Sequence, residues 1–270
     1  AGLNNDIVFV SEGMQLKLEL VVENADSPWA ITQSNDGRLF YTDKSGKLFF
    51  KLGEVIQEIM GLPLVKYKGQ GGLMDVILHP DFDNNKRIYL SYSKPNPDDD
   101  NYSTTAIFSG ILDGNAIING EDIFVAETYV SSDVHYGSRM IFDNNAFLFV
   151  SIGERGKRDD YPQKLDNHLG KIHRLNDDGT VPMDNPFYYT PYAIKSIYSY
   201  GHRNPQGLCY DSVTNKIYDN EHGPRGGDEV NLIEEGRNYG WPVITYGINY
   251  IGTTITDYTH SEGMEQPIRY

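Results

Sequence analysis

The chain has 270 residues, 39% of them apolar, 12% aromatic and 23% charged, with a formal net charge of −15. That size suits one large β domain, or two smaller domains, and the composition is that of an ordinary globular protein. The acidic balance argues against a nucleic-acid partner, whose affinity would rest on Lys and Arg neutralising phosphates. No apolar run approaches the ~20 residues that span a bilayer.

Twenty Tyr and 27 Gly favour strands and tight turns, since aromatic rings fit a pleated surface and glycine supplies positive φ. No signal-peptide pattern is apparent, which predicts a cytosolic or an already processed chain. Cys209 is the single cysteine, so an intrachain disulfide and a cysteine metal cluster are excluded. Its setting between Leu208 and Tyr210 predicts a small apolar filler in a strand.

One pattern recurs four times along the chain: an apolar strand, a polar turn, a second apolar strand and a loop. It begins with Trp29-Ala30-Ile31, the turn Asn35-Asp36-Gly37, Leu39-Phe40-Tyr41, then Asp43 to Gly46. Leu73 to Leu78, Asp83-Asn84-Asn85 and Ile88 to Tyr92 repeat it, and alternation puts Ile88, Leu90 and Tyr92 on one face. The acidic run Asp98-Asp99-Asp100 falls in a solvated loop between strands. The third copy runs through Arg139 to Phe142, Asp143-Asn144-Asn145, Phe147 to Ile152 and Glu154-Arg155-Gly156. Gly207 to Tyr210, Thr214-Asn215, Ile217-Tyr218 and Glu221-His222-Gly223 make the fourth.

The spacing of the turns grows from roughly 48 to 60 to 71 residues, around or above the ~40–50 of a propeller blade. Insertions at 95–104 and 156–169 account for the excess. No helical periodicity persists beyond about two turns. An all-β propeller is therefore predicted, with the loop after each inner strand facing a common mouth where sites assemble.

Two turns are unusually rich in chemistry. Gly201-His202-Arg203-Asn204-Pro205-Gln206-Gly207 and Glu221-His222-Gly223-Pro224-Arg225-Gly226-Gly227-Asp228-Glu229 flank one short strand. Together they offer a guanidinium, an amide, backbone carbonyls and acids, which suits an anionic, carbonyl-rich cofactor and a hard cation. On residue types alone, Arg-Asn-Pro also reads as simple turn chemistry, and a histidine such as His135 as a structural loop residue.

Further motifs run in order along the chain: Gly69-Gln70-Gly71-Gly72-Leu73, His79-Pro80-Asp81-Phe82, His135-Tyr136-Gly137-Ser138-Arg139, Gly153-Glu154-Arg155-Gly156, Gly170-Lys171-Ile172, Leu175-Asn176-Asp177-Asp178-Gly179 and Asn238-Tyr239-Gly240-Trp241-Pro242. With the two turns, they resemble the soluble quinoprotein aldose (glucose/sorbosone) dehydrogenases. The resemblance implies a six-bladed β-propeller, of which this chain covers about four blades as a single domain. The rest of the ring is expected from a segment beyond this sequence or from a second chain.

By the same resemblance, the cofactors are pyrroloquinoline quinone (PQQ) and Ca²⁺, the substrate is an aldose oxidised at C1 to its lactone, and an external acceptor takes the electrons. His135 would be the general base, with a pKa suited to proton removal near neutrality, and Glu154 the carboxylate that orients it. The competing reading pairs Glu154 with Arg155 or Arg158. Arg203 would stabilise charge on the quinone carbonyls, and Gln70 and Asn204 would donate hydrogen bonds to the cofactor. Gly223 and Pro224 would ligate Ca²⁺ through backbone carbonyls. Asp228 and Glu229 either assist or are solvated turn residues. A periplasmic or secreted location is implied by the family.

The other marked residues take structural readings. His222 and His79-Pro80-Asp81-Phe82 look like scaffold, Trp29 and Trp241 like packing at blade edges, and His168, His173 and His202 lack acids at zinc-ligand spacing. Two rival functions stay open: a non-catalytic propeller binding a sugar or partner, and a lactone-hydrolysing enzyme, which requires a side-chain calcium cage.

Overall fold

The computed structural model describes residues 7–270. A hairpin of β1 (Ile7–Ser11) and β2 (Met14–Leu18) comes first, followed by four antiparallel sheets in chain order. Blade one is β3 (Pro28–Gln33), β4 (Leu39–Asp43), β5 (Lys47–Leu52) and β6 (Val55–Ile59). Blade two is β7 (Leu73–Leu78), β8 (Arg87–Pro95), β9 (Ser103–Asp113) and β10 (Ala116–Val125). In blade three, β11 (Met140–Phe142), β12 (Leu148–Ile152), β13 (Lys171–Leu175) and β14 (Ile197–Tyr200) pair in that order. Blade four holds β15 (Pro205–Asp211), β16 (Lys216–Glu221) and β17 (Glu229–Ile233).

The first strands pack on one another, β3 on β7, β7 on β11 and β11 on β15, so the sheets radiate from a shared axis as propeller blades do. Each of the four sequence repeats lands on the first two strands of one blade. Their turns close as their residues dictate. Gly37 takes φ +89° in the first, and the Asp143 carboxylate accepts the Asn145 and Phe147 amides, both at 2.9 Å, in the third. In blade two the Asp83-Asn84-Asn85 turn is wound into a single helical turn, α1 (Phe82–Asn85), whose Phe82 enters the core.

Packing is sheet on sheet. Ile88, Leu90 and Tyr92 join Phe40, Leu48 and Leu73 between blades one and two, which bears out their shared face. Tyr89, on the opposite face of β8, packs with Met140, Leu148 and Val150 between blades two and three. Phe149 and Ile172 then meet Ile217 and Ile233 between blades three and four. The central strands are therefore apolar on both faces, as sheets covered on both sides require.

The insertion at 156–169 is anchored at its base. Lys171 is fully buried, and its ammonium donates to the carbonyls of Tyr161 (3.0 Å), Pro162 (3.1 Å) and Leu169 (2.6 Å). Cys209 departs from the sequence reading: it is exposed on β15 rather than a filler. It lines a recess of about 530 Å³ together with Thr32, Leu78 and Met140.

Beside β13 lie two buried histidines with ring centroids 5.4 Å apart, His168 and His173. His173 Nε2 donates to the His168 carbonyl and Nδ1 accepts from the Ser196 hydroxyl, both at 2.9 Å, a neutral tautomer. Burial, then the charge of Lys171, pulls His168 down to about 4, and burial pulls His173 well below its ordinary range. In the unfolded chain both rings take up a proton near pH 6.5, so the unfolded state binds more protons than the fold below that point. The thermal midpoint is expected to fall as pH drops from about 6.5 through 4, and His168→Gln to make the fall shallower. An unchanged slope in that variant would remove His168 from the account.

Candidate active site

Antiparallel pairing decides where the site forms. The loop that enters a blade's first strand and the loop that leaves its second lie at the same end of the sheet. Gln70 precedes β7, His135 precedes β11, and Arg203 and Asn204 precede β15, while Glu154 follows β12 and Gly223 and Pro224 follow β16. The predicted residues thus converge from three blades. This corrects one expectation, since the loop after each inner strand is the short turn at the opposite end.

His135 Nδ1 lies 2.7 Å from Glu154 Oε1. The imidazole is 15% exposed and the carboxylate 2%, so the pair is sealed behind and open at the ring's far edge. Nδ1–H donates to the carboxylate, which leaves the Nε2 lone pair facing the cleft. Glu154 Oε2 accepts the Lys157 amide, and Glu154 makes no ion pair with Arg155 or Arg158 among the described residues. His135 sits at φ +52°, an unusual backbone for a non-glycine residue. Three contacts over-determine it: its amide donates to Gln70 Oε1 (2.7 Å), its carbonyl accepts from Arg155 N (3.3 Å), and Gly153 closes on it from behind. A Cβ at Gly153 would stand 2.2 Å from the His135 carbonyl oxygen, so only glycine lets the two loops meet.

Arg155 carries this loop. It is fully buried, with its guanidinium carbon 3.5 Å from the Tyr136 ring centroid. It donates to the carbonyls of Val134 (3.0 Å), Ser103 (3.1 Å) and Ser132 and to Ser103 Oγ (3.3 Å). Burial lowers its pKa to about 10, which leaves it charged at neutral pH.

On blade four, Arg203 is 6% exposed and projects beside Trp241, 5.4 Å from the ring centroid. Arg203 Nη1 donates to the His222 carbonyl at 2.8 Å, whereas its Nε is buried without a partner. Blades three and four are joined by Glu154 N–H donating to the Arg203 carbonyl at 2.9 Å. Asn204 Oδ1 accepts the Gly137 amide at 3.1 Å, as Gln70 Oε1 accepts that of His135, so neither of these bonds uses an NH₂ group; Gln70 is exposed and Asn204 buried. His135, Glu154, Arg203, Pro224 and Trp241 share one cleft of about 400 Å³, whose other wall is Arg158, Asn249 and Tyr250. Arg158 Nη1 holds Asn249 Oδ1 at 2.7 Å.

The donor set fits the expected groups. Gly223 and Pro224 are buried, and among the described residues their carbonyls accept no hydrogen bond. Asp228 Oδ1 fixes the turn by accepting Gly223 N–H at 2.8 Å. Unspent carbonyl oxygens suit a hard cation such as Ca²⁺, with further oxygens required from elsewhere. The guanidinium, with its unpartnered Nε–H, and the free amide groups suit an anionic quinone.

Four features were missed or misjudged from sequence. Trp241 lines the cleft and is not blade-edge packing. Arg155 is the buried support of the His135 loop. The wall of Arg158, Asn249 and Tyr250 gave no motif. His202, finally, does have acids beside it: Asp219 and Glu221 place ligand-type atoms within 4.8 Å of one another. They alternate with Tyr218 and Asn220 on β16, whose buried positions are Ile217, Asp219 and Glu221. Two acids at core-facing positions of a strand were the available signal.

Known proteins similar to this chain are found in both sequence and structure. The glucose/sorbosone dehydrogenase family profile matches residues 25–270. The chain is 40% identical over 263 residues to the aldose sugar dehydrogenase YliI of Escherichia coli, covering 94% of this chain and 70% of that protein. The apo crystal structure of the soluble E. coli aldose sugar dehydrogenase superposes with a TM-score of 0.87 at 38% identity, over 91% of this chain and 72% of that one. A PQQ-bound aldose sugar dehydrogenase from Streptomyces coelicolor gives 0.76 at 26% identity, over 93% and 69%.

Asn204→Ala strips the acceptor from the buried Gly137 amide. We expect a loss of about 1–3 kcal/mol in a urea titration; a loss near zero would show that water replaces the side chain.

Proposed function

The chain belongs to the glucose/sorbosone dehydrogenase family, and from that we propose that it is a quinoprotein oxidoreductase that oxidises the C1 hydroxyl of an aldose to the lactone. The observation that carries this reading is the His135–Glu154 pair at 2.7 Å, which shares a cleft with Arg203 and Pro224. When bound, PQQ would supply the acceptor for the C1 hydride, polarised by Ca²⁺, and an external acceptor would take the electrons onward.

The chain's own residues account for the proton and the field. His135 Nε2 removes the hydroxyl proton, while Nδ1 keeps its proton and donates it in a hydrogen bond to Glu154, whose carboxylate stabilises the imidazolium. Nearly complete burial of Glu154 strengthens that stabilisation by excluding water. The Arg203 guanidinium, fixed by the His222 carbonyl, provides positive charge where electron density arrives, without reorganisation. Gln70 and Asn204 hold the backbone of the His135 loop with their oxygens and offer their NH₂ groups to the cofactor. The Gly223 and Pro224 carbonyls would hold Ca²⁺. Trp241 and Tyr250 give the cleft its apolar surfaces.

Among the described residues no helix is long and apolar enough to cross a membrane. Work in the periplasm or outside the cell is part of the proposal, carried by the family.

Reconstitution with PQQ and Ca²⁺ followed by dye reduction with a panel of aldoses tests the reading. His135→Ala is expected to lower kcat by about 10²–10⁴-fold with the quinone still bound, and chelation of Ca²⁺ to release the quinone. No sugar-dependent change in quinone absorbance would overturn the assignment.

A further inference from the structure

Glu221 ends β16 with a carboxylate that is 5% exposed. Its Oε2 accepts the backbone amides of Arg203 (2.6 Å) and Asn204 (3.3 Å). Its Oε1 faces His202 Nδ1 (3.2 Å) and Asn231 Nδ2 (3.5 Å). His202 Nε2 accepts from the Ser199 hydroxyl at 2.8 Å, so Nδ1 is the protonated nitrogen and donates to Glu221. Four N–H groups occupy the four lone-pair directions of the carboxylate. Within the trio of His202, Asp219 and Glu221, Glu221 is thus saturated by protein donors, whereas both Asp219 oxygens are buried without a hydrogen-bond partner. Beside it, burial and then the Glu221 charge raise the pKa of Asp219 well above the usual carboxylate range.

What Glu221 does instead follows from its partners. Five hydrogen bonds join the turn 201–207 to the turn 221–229, three of them made by Glu221. Glu221 grips the amides of the first turn, Arg203 Nη1 reaches the His222 carbonyl of the second at 2.8 Å, and His222 N–H returns to the Asn204 carbonyl at 3.2 Å. Past His222 the chain runs directly into Gly223 and Pro224. We propose that Glu221 is the positioning residue that sets the spacing between the Arg203 guanidinium and the Gly223 and Pro224 carbonyls, so that quinone and Ca²⁺ bind as one unit. The proposal rests on the dehydrogenase reading above. Its physical basis is preorganisation, in which supporting hydrogen bonds orient the groups that touch a metal.

Glu221→Gln tests it, since the carboxamide keeps the shape but presents one acceptor oxygen where two are needed. Quinone uptake is followed by absorbance as Ca²⁺ is titrated, with thermal unfolding recorded alongside. We expect a folded variant whose Ca²⁺ midpoint rises about 10–100-fold and whose bound-quinone spectrum is shifted. A folded variant with the unaltered midpoint and spectrum overturns the proposal. Amide hydrogen exchange on the unaltered protein provides a second arm that survives a misfolded variant. Arg203 and Asn204 N–H are expected to be protected before PQQ or Ca²⁺ is added, and protection that appears only afterwards overturns preorganisation. If the unaltered protein takes up no quinone at all, the dehydrogenase reading fails, and the exchange arm alone decides the role of Glu221.

Discussion

Two-sided burial of the central strands is the constraint on which this molecule depends. Along β8, Ile88, Leu90 and Tyr92 serve one blade interface and Tyr89 serves the next. Along β12, Leu148 and Val150 pack against blade two while Phe149 packs against blade four. A slip of one residue would exchange the two sets of side chains, and each would then meet an interface shaped for the other. Register is fixed from both sides, and so is the height at which every loop leaves its blade. Five short segments distant in sequence can then meet within hydrogen-bonding distance without any of them being long.

The buried ions near the site are treated in a consistent way. Arg155 and Lys171 donate chiefly to backbone carbonyls, and Glu221 accepts backbone amides along with His202 and Asn231. Burying a charge is costly unless its hydrogen-bonding capacity is filled. Here the backbone fills most of it, so each ion is a cross-link between loops as well as a solvated group. The arrangement also orders the loops that carry His135 and Arg203, which would otherwise adopt several conformations.

Much of this was legible in the sequence. The first two strands of each blade announced themselves because apolar runs flank Asp, Asn and Gly turns, and because the pairs are joined by turns of few residues. The outer strands were harder to see. β10, for example, is polar over Asn119, Gly120, Glu121 and Asp122 and carries irregular register against β9, which blurs its alternation. Within the site, His135, Glu154 and Arg203 were visible as side-chain chemistry once their motifs were recognised. Arg155 and Glu221 were not, because their partners are backbone groups that no residue pattern encodes. Cys209 was misjudged for a related reason: its neighbours are apolar, but an inner strand has a face turned to the axis. The acids near His202 are 17 and 19 residues away along the chain, and only the hairpin of β15 and β16 brings them together.

The two walls of the cleft are built to different standards. One bears His135, Glu154 and Arg203 and is locked by buried backbone hydrogen bonds and by a glycine that admits no side chain. On the other, Tyr250 is 72% exposed, and Asn249 bonds to Arg158 and to Thr253 and Thr254 of its own loop. An exchanged side chain on the first wall therefore disturbs hydrogen bonds that join blades three and four, whereas one at Tyr250 alters the surface that the cleft shows to solvent.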